Sequence, residues 1–189
     1  MGTIFVDNLE PQSGTSLTLG ASGDTIALAS GASLSGIAST NGITVAQQFN
    51  LTSEQNNTSN FFYTSNLSVE GGSIGTAITE SSGVFSFPST GVYQVSAFTT
   101  VRSSSTSTNA TLFIYFATDG ATFNKVASSG QRFPEANKDF NMYCSDFVDV
   151  TDTSNCQVKF GVDYGGGTML TRAGTDGYTK FSFIRLGDT

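Results

Sequence analysis

Thr111-Leu112-Phe113-Ile114-Tyr115-Phe116-Ala117-Thr118 is a β-branched and aromatic run whose parity decides the fold. In a strand, successive side chains point to opposite faces. Leu112, Ile114 and Phe116 therefore take one face, and Phe113 and Tyr115 the other. Phe181-Ser182-Phe183-Ile184-Arg185-Leu186 repeats the pattern, with Phe181 and Phe183 opposite Ile184 and Leu186. A sheet with one wet face alternates apolar and polar residues. A strand apolar on both faces needs a second cover, either another subunit or a long loop of its own chain. The subunit is the simpler cover, which makes Phe113, Tyr115, Ile184 and Leu186 the candidate contacts between subunits.

Working outward, similar runs recur between turn signals: Phe61-Phe62-Tyr63, Val84 to Phe87, Val92 to Val95, Phe147 to Val150 and Cys156 to Val162. No long 3.6-period segment with caps interrupts them. Residues 47–189 therefore read as an all-β antiparallel sandwich, with residues 120–140 as a long connection. Residues 1–46 differ, having Phe5 as their one aromatic. Leu17, Ile26, Leu34 and Ile43 lead short alternating tetrapeptides spaced 9, 8 and 9 apart, separated by Gly, Ser and Asn turns. Each rung offers one or two aliphatic side chains, too few to offset about 1–2 kcal/mol of backbone entropy per residue. Two arrangements remain: a flexible tether, or several chains wound with the Leu/Ile row on a shared axis. The regular period favours the second.

Composition narrows the chemistry. Among 189 residues there are 26 Ser, 26 Thr, 21 Gly and no His. Without imidazole there is no Ser-His or Cys-His pair and no His-containing zinc site. A net charge of −7 repels phosphate backbones and anionic headgroups, so neither nucleic acid nor a membrane is an expected partner. No run approaches the roughly 18 apolar residues of a membrane span, and Met1 to Asp7 has no signal-peptide character. The Asn-x-Ser/Thr sites are what a Ser- and Thr-rich chain produces by chance.

The few motif matches fail on context. Gly71-Gly72-Ser73-Ile74-Gly75 has the spacing of a nucleophile elbow, but its flanks are β-like and no His exists to take the serine proton, so it reads as a glycine-rich loop. With five Glu and no acidic clusters, a glycan-cleaving carboxylate pair is not expected. Asp146, Asp149 and Asp152 could suggest calcium, but Asp146 and Asp149 face opposite sides of a strand and read as a solvated hairpin. Cys144 and Cys156 flank the turn 151–155; in a hairpin centred there Cys156 falls opposite Asp149, so both read as small buried hydrophobes. Exposed aromatics beside polar residues would form a sugar platform, for which Tyr63, Tyr115, Tyr164 and Tyr178 are the candidates. No enzyme activity, cofactor or metal is expected.

Glu80 to Tyr93 contains Gly83-x-Phe85-x-x-Pro88-x-x-Gly91-x-Tyr93 and resembles a strand pair of complement C1q/tumour necrosis factor-like jelly rolls. Phe147 to Asp152 with Cys156 to Phe160 resembles that family's later hairpin, and Phe181 to Leu186 its last core strand. More narrowly, the opening Val6 to Gly20 and the ending Phe183 to Thr189 resemble virion proteins of marine tailed bacteriophages, including cyanophages and pelagiphages. That resemblance implies a homotrimer with a short β-rung stem and a C1q-like head. It implies a virion structural protein, a tail fibre or head fibre adhering to host-surface glycan or protein and contacting other virion proteins. The alternative is a capsid decoration protein whose stem docks on the shell. Animal C1q heads often use calcium and a signal peptide, and this chain makes a clear case for neither.

Overall fold

The structure is a computed structural model that describes Ser13, residues 42–174 and residues 177–189. Leu17, Ile26 and Leu34 lie outside the described residues. The body below belongs to the unit Thr40–Thr189.

Thirteen strands and, among the described residues, no helix make up the body. They are Ala46–Leu51 (β1), Gln55–Asn57 (β2), Phe61–Phe62 (β3), Leu67–Ile74 (β4), Thr79–Ser81 (β5), Val84–Ser86 (β6) and Gly91–Ser103 (β7). Thr108–Ala117 (β8), Asn124–Phe133 (β9), Asp139–Val150 (β10), Gln157–Tyr164 (β11), Met169–Thr171 (β12) and Thr179–Gly187 (β13) complete the set. All pairings are antiparallel. The long strand β7 organises a seven-stranded sheet, with β10 along one side and β13 then β12 along the other; β1 and β4 follow β13, and β2 follows β12. The six-stranded sheet runs β5-β6-β11-β8-β9, with β3 also on β11.

Strict alternation drives this packing. Tyr93, Val95, Ala97, Thr99 and Val101 of β7 point inward, as do Val158, Phe160 and Val162 of β11 and Phe181 and Phe183 of β13. Phe160 stacks on Phe181 across the sandwich at 4.2 Å and 16°, and Phe85 meets Phe160 edge-on at 5.3 Å. Each such buried ring contributes roughly 1.5–3 kcal/mol relative to an exposed one. The Pro88 segment carries the chain from β6 in one sheet to β7 in the other. Tyr93 pins that corner by donating to the Ser89 carbonyl at 3.0 Å. Gly91 has φ +134, and a Cβ there would lie 2.4 Å from the Gly187 carbonyl oxygen, so the corner demands glycine.

Three expectations change, and the reading of the two cysteines stands. Residues 120–140 are no long connection, because they hold β9 and the start of β10. The 151–155 turn closes no hairpin: β10 pairs with β7 and β11 with β8, so it crosses between sheets. Cys144 on β10 and Cys156 directly before β11 are free, buried thiols, as expected. Gly71 to Ile74 is the end of strand β4, bulged where Ala46 pairs Ile74 while Gln48 pairs Glu70, rather than a loop.

Candidate functional site

The two sheets present opposite outer faces, and each carries large apolar side chains. On the six-stranded sheet, Phe113 and Tyr115 point outward from β8, half-buried. Phe62 lies over Gly161, where a Cβ would come within 3.0 Å of its ring, and it meets Tyr115 edge-on at 5.0 Å. Lys125 places its ammonium 3.6 Å from the Phe113 ring centre and 2.6 Å from Asp163, and Lys159 sits 3.9 Å over Phe123. The bond to Asp163 holds the Lys125 pKa above its ordinary value, and burial does the same for Tyr115. Lysines of the same chain thus lie over Phe113 and Phe123, while Phe62 on this face stays 43% exposed.

The seven-stranded face has no such cover. The register places Phe147, Gln94, Ile184, Ala46 and Ile74 side by side across β10, β7, β13, β1 and β4. A second row is Tyr143, Phe98, Lys180, Asn50 and Ser68. Between them lies a row of small or polar side chains, Ser145, Ser96, Ser182, Gln48 and Glu70. Over β10, β7 and β13 the middle row is three serines, flanked on both sides by bulkier side chains. Phe147 is 63% exposed, Tyr143 55% and Ile74 51%, and no cation lies over either aromatic ring among the described residues.

On the β13, β1 and β4 side of that face the polar groups are paired with one another. Glu70 accepts from Gln48 Nε2 at 2.9 Å and Lys180 Nζ at 2.8 Å, Ser182 donates to Gln48 Oε1 at 3.2 Å, and Ser68 donates to Asn50 Oδ1 at 2.8 Å. Such a face loses little when water leaves it, because its buried donors and acceptors keep partners. Strand β10 is the edge of this sheet, so Tyr143 and Phe147 stand where a neighbouring molecule can reach them.

The sequence-derived contacts therefore separate. Phe113 and Tyr115 lie on one outer face, Ile184 on the opposite one, and Leu186 beside a bulge at its end, half exposed. Ile43 is also half exposed, while the next rung residue, Val45, is buried and accepts the Arg185 N–H at 2.8 Å. Of the tyrosines proposed as a sugar platform, Tyr63 and Tyr164 are core residues instead. Tyr63 bonds Thr99 at 3.0 Å and is pushed up to about 12 by burial, and Tyr164 bonds Ser103 at 2.6 Å. Tyr178 is half-buried beneath Arg172, 5.2 Å away. Tyr143 and Phe147 were missed, although their signal exists: they share one parity of β10 while Met142, Cys144, Val148 and Val150 hold the other.

Among the described residues no three His, Cys, Asp or Glu side chains converge to hold a metal. Asp149 is exposed, Asp146 lies on the other side of β10, and Asp152 caps its turn by accepting from Ser154 N at 2.8 Å and Asn155 Nδ2 at 2.6 Å.

No family model and no curated protein matches the chain. Solved structures do. An Eiger tumour necrosis factor from S. frugiperda aligns with TM-score 0.60 at 11% identity, covering 77% of this chain and 94% of that one. Murine APRIL at pH 5.0 aligns with TM-score 0.57 at 6% identity, covering 75% and 98%. Identities this low carry the fold alone, and that fold is the C1q/tumour necrosis factor-like jelly roll.

Proposed function

We propose that the chain is a non-catalytic bacteriophage virion structural protein, a homotrimeric tail or head fibre whose jelly-roll head adheres to the host surface. The observation carrying the trimer is the uncovered face of the seven-stranded sheet. Phe147 and Tyr143 on the edge strand can reach past the sheet onto the Ile184, Ala46 and Ile74 surface of the next copy. Such an edge-to-face contact joins two different patches and closes into a ring when the rotation permits, unlike a two-fold contact. The 8–9-residue period of the first 46 residues supports the same symmetry. In a trimer, three copies of one weak adhesive site multiply one another through avidity.

The virion role is supported by the resemblance of Val6 to Gly20 and Phe183 to Thr189 to marine phage proteins. The protein would then be assembled in the bacterial cytoplasm and carried on the particle, alongside other virion proteins. Sedimentation of the full chain at micromolar concentration tests the first half: a trimer is expected, and a monomer overturns it. Cryo-electron microscopy of the virion tests the second. Head-shaped density projecting from tail or capsid is expected; density lying flat on the shell makes it a decoration protein, and density nowhere on the particle removes the virion reading.

A further inference from the structure

Antiparallel register sorts the loops of the body to two ends. The chain comes in at Gly42–Val45 beside Gly91, Val150 and Gly187. The far end gathers residues 52–60, 103–108 and 165–168, which apart from Glu54 are all Asn, Ser, Thr, Gly and Gln, together with Pro134-Glu135-Ala136-Asn137-Lys138. There, Asn56, Arg102, Ser104, Asn137, Thr168 and Leu170 line an open cleft of about 240 Å³.

We infer that this far-end cleft is a binding site for an uncharged pyranose ring, a site that gives the adhesion proposed above its point of contact and rests on that reading. The walls are held in place from behind. Ser104 N–H donates to the Thr168 carbonyl at 2.8 Å, Thr168 N–H to Ser104 Oγ at 3.0 Å, and Asn137 N–H to the Ser103 carbonyl at 2.8 Å. Braced loops lose little entropy on binding, which is what lets a few polar contacts give measurable affinity.

The side chains facing the cleft are left over from this bracing. Among the described residues, the Asn56 and Asn137 amides and the Thr168 hydroxyl make no hydrogen bond within the chain. An amide both donates and accepts, as each hydroxyl of a sugar does, so two amides and a hydroxyl suit a vicinal diol. Leu170 offers an apolar patch for a ring C–H face. The charge argument excludes phosphate ligands. Arg102 is held by Asp139 through two bonds of 2.8 and 3.0 Å, so its charge is already balanced. The cleft lies on the same outer face of the seven-stranded sheet as the proposed trimer rows but at its opposite end, two rows beyond the Tyr143 and Phe98 row. The row at its level, Asp139, Arg102, Leu170 and Asn56, is charged and polar where the Phe147 row is apolar.

Saturation-transfer NMR on the full chain tests this with three probes: methyl α-mannopyranoside, methyl β-galactopyranoside and methyl β-glucopyranoside. Together they present diols with axial and equatorial hydroxyls. Transfer to at least one of them at millimolar concentration is expected. Asn56→Ala, on an exposed short strand, and the near-isosteric Asn137→Asp should each reduce it at least about five-fold, whereas Lys125→Ala on the opposite sheet should leave it unchanged. Absence of transfer to all three probes, or transfer that persists in both Asn variants, overturns the site. Sedimentation of the same samples reads the trimer separately. An intact trimer that binds no sugar sinks the cleft alone, and a monomer that still binds sugar sinks the trimer alone.

Discussion

The outer faces of the two sheets carry comparable aromatic bulk and resolve it in different ways. On the six-stranded sheet the half-buried rings of Phe113 and Phe123 lie beneath Lys125 and Lys159, so a cation and its stem cover part of each ring, while Phe62 stays 43% exposed. On the seven-stranded sheet Phe147 and Tyr143 are more than half exposed, and the nearby cation, Lys180, is bound to Glu70 instead. Apolar parity on both faces of a strand therefore does not by itself count interfaces. What separates the faces is where the lysines go, and that depends on which strands the register sets side by side.

The largest test of this contrast is Ile184→Asp. Ile184 sits at the centre of the uncovered row, so a carboxylate there would be trapped unpaired in a dry contact at a cost of several kcal/mol. Complete dissociation in sedimentation is expected, with the head still folded by circular dichroism. Retention of the trimer would move the interface elsewhere. Phe113→Ala probes the other face. The trimer should persist while the denaturation midpoint reports a loss of about 1–2 kcal/mol for a half-buried ring; dissociation would mean that both faces share the contact. A smaller effect is expected for Lys125→Met. Its side chain is 44% exposed, so losing the ring contact and the Asp163 pair should cost roughly 0.5–1 kcal/mol at low salt and less at high salt.

The smallest effect belongs to Asp119, in the turn between β8 and β9. Its carboxylate accepts the N–H groups of Thr122 at 2.7 Å and Ala121 at 2.9 Å, which lower its pKa to about 2. A depressed folded pKa stabilises at pH values above the unfolded carboxylate value of about 4 and stops doing so as pH falls through 2. Asp119→Asn should thus slightly lower the melting temperature at pH 7, with the difference from the parent shrinking steadily as pH falls from about 4 toward 2. A difference that stays constant across that range would assign the effect to shape rather than charge.

Much of the sandwich was legible because its inner positions are large and strictly alternating, as in Phe181 and Phe183 or Val158, Phe160 and Val162. Strand β9 was not, because Asn124 to Arg132 is mostly exposed and only Phe133 reaches full burial, which leaves no apolar period to read. The mistaken hairpin at 151–155 has a different cause. A tight turn between two β runs looks the same locally whether the chain folds back beside itself or crosses to the other sheet. The choice is made by long-range pairing, here of β10 with β7 and β11 with β8. The tyrosines failed for a related reason: Tyr63 and Tyr164 find hydroxyl partners in Thr99 and Ser103, residues far away in the chain, and so can be buried.

Cys144 and Cys156 offer a use that follows from their surroundings. Burial pushes the Cys144 thiol up to about 12, and Cys156 is fully enclosed, so neither sulfur is open to reagents while the fold is closed. Alkylation of either thiol has to wait for the protein to open, and where reclosing is fast its rate tracks the opened population. Because Cys144 lies on β10 of one sheet and Cys156 at the entry to β11 of the other, mass spectrometry of which one is modified first would time the parting of the sandwich layer by layer. A cysteine engineered onto the surface could still carry a dye without removing either native one.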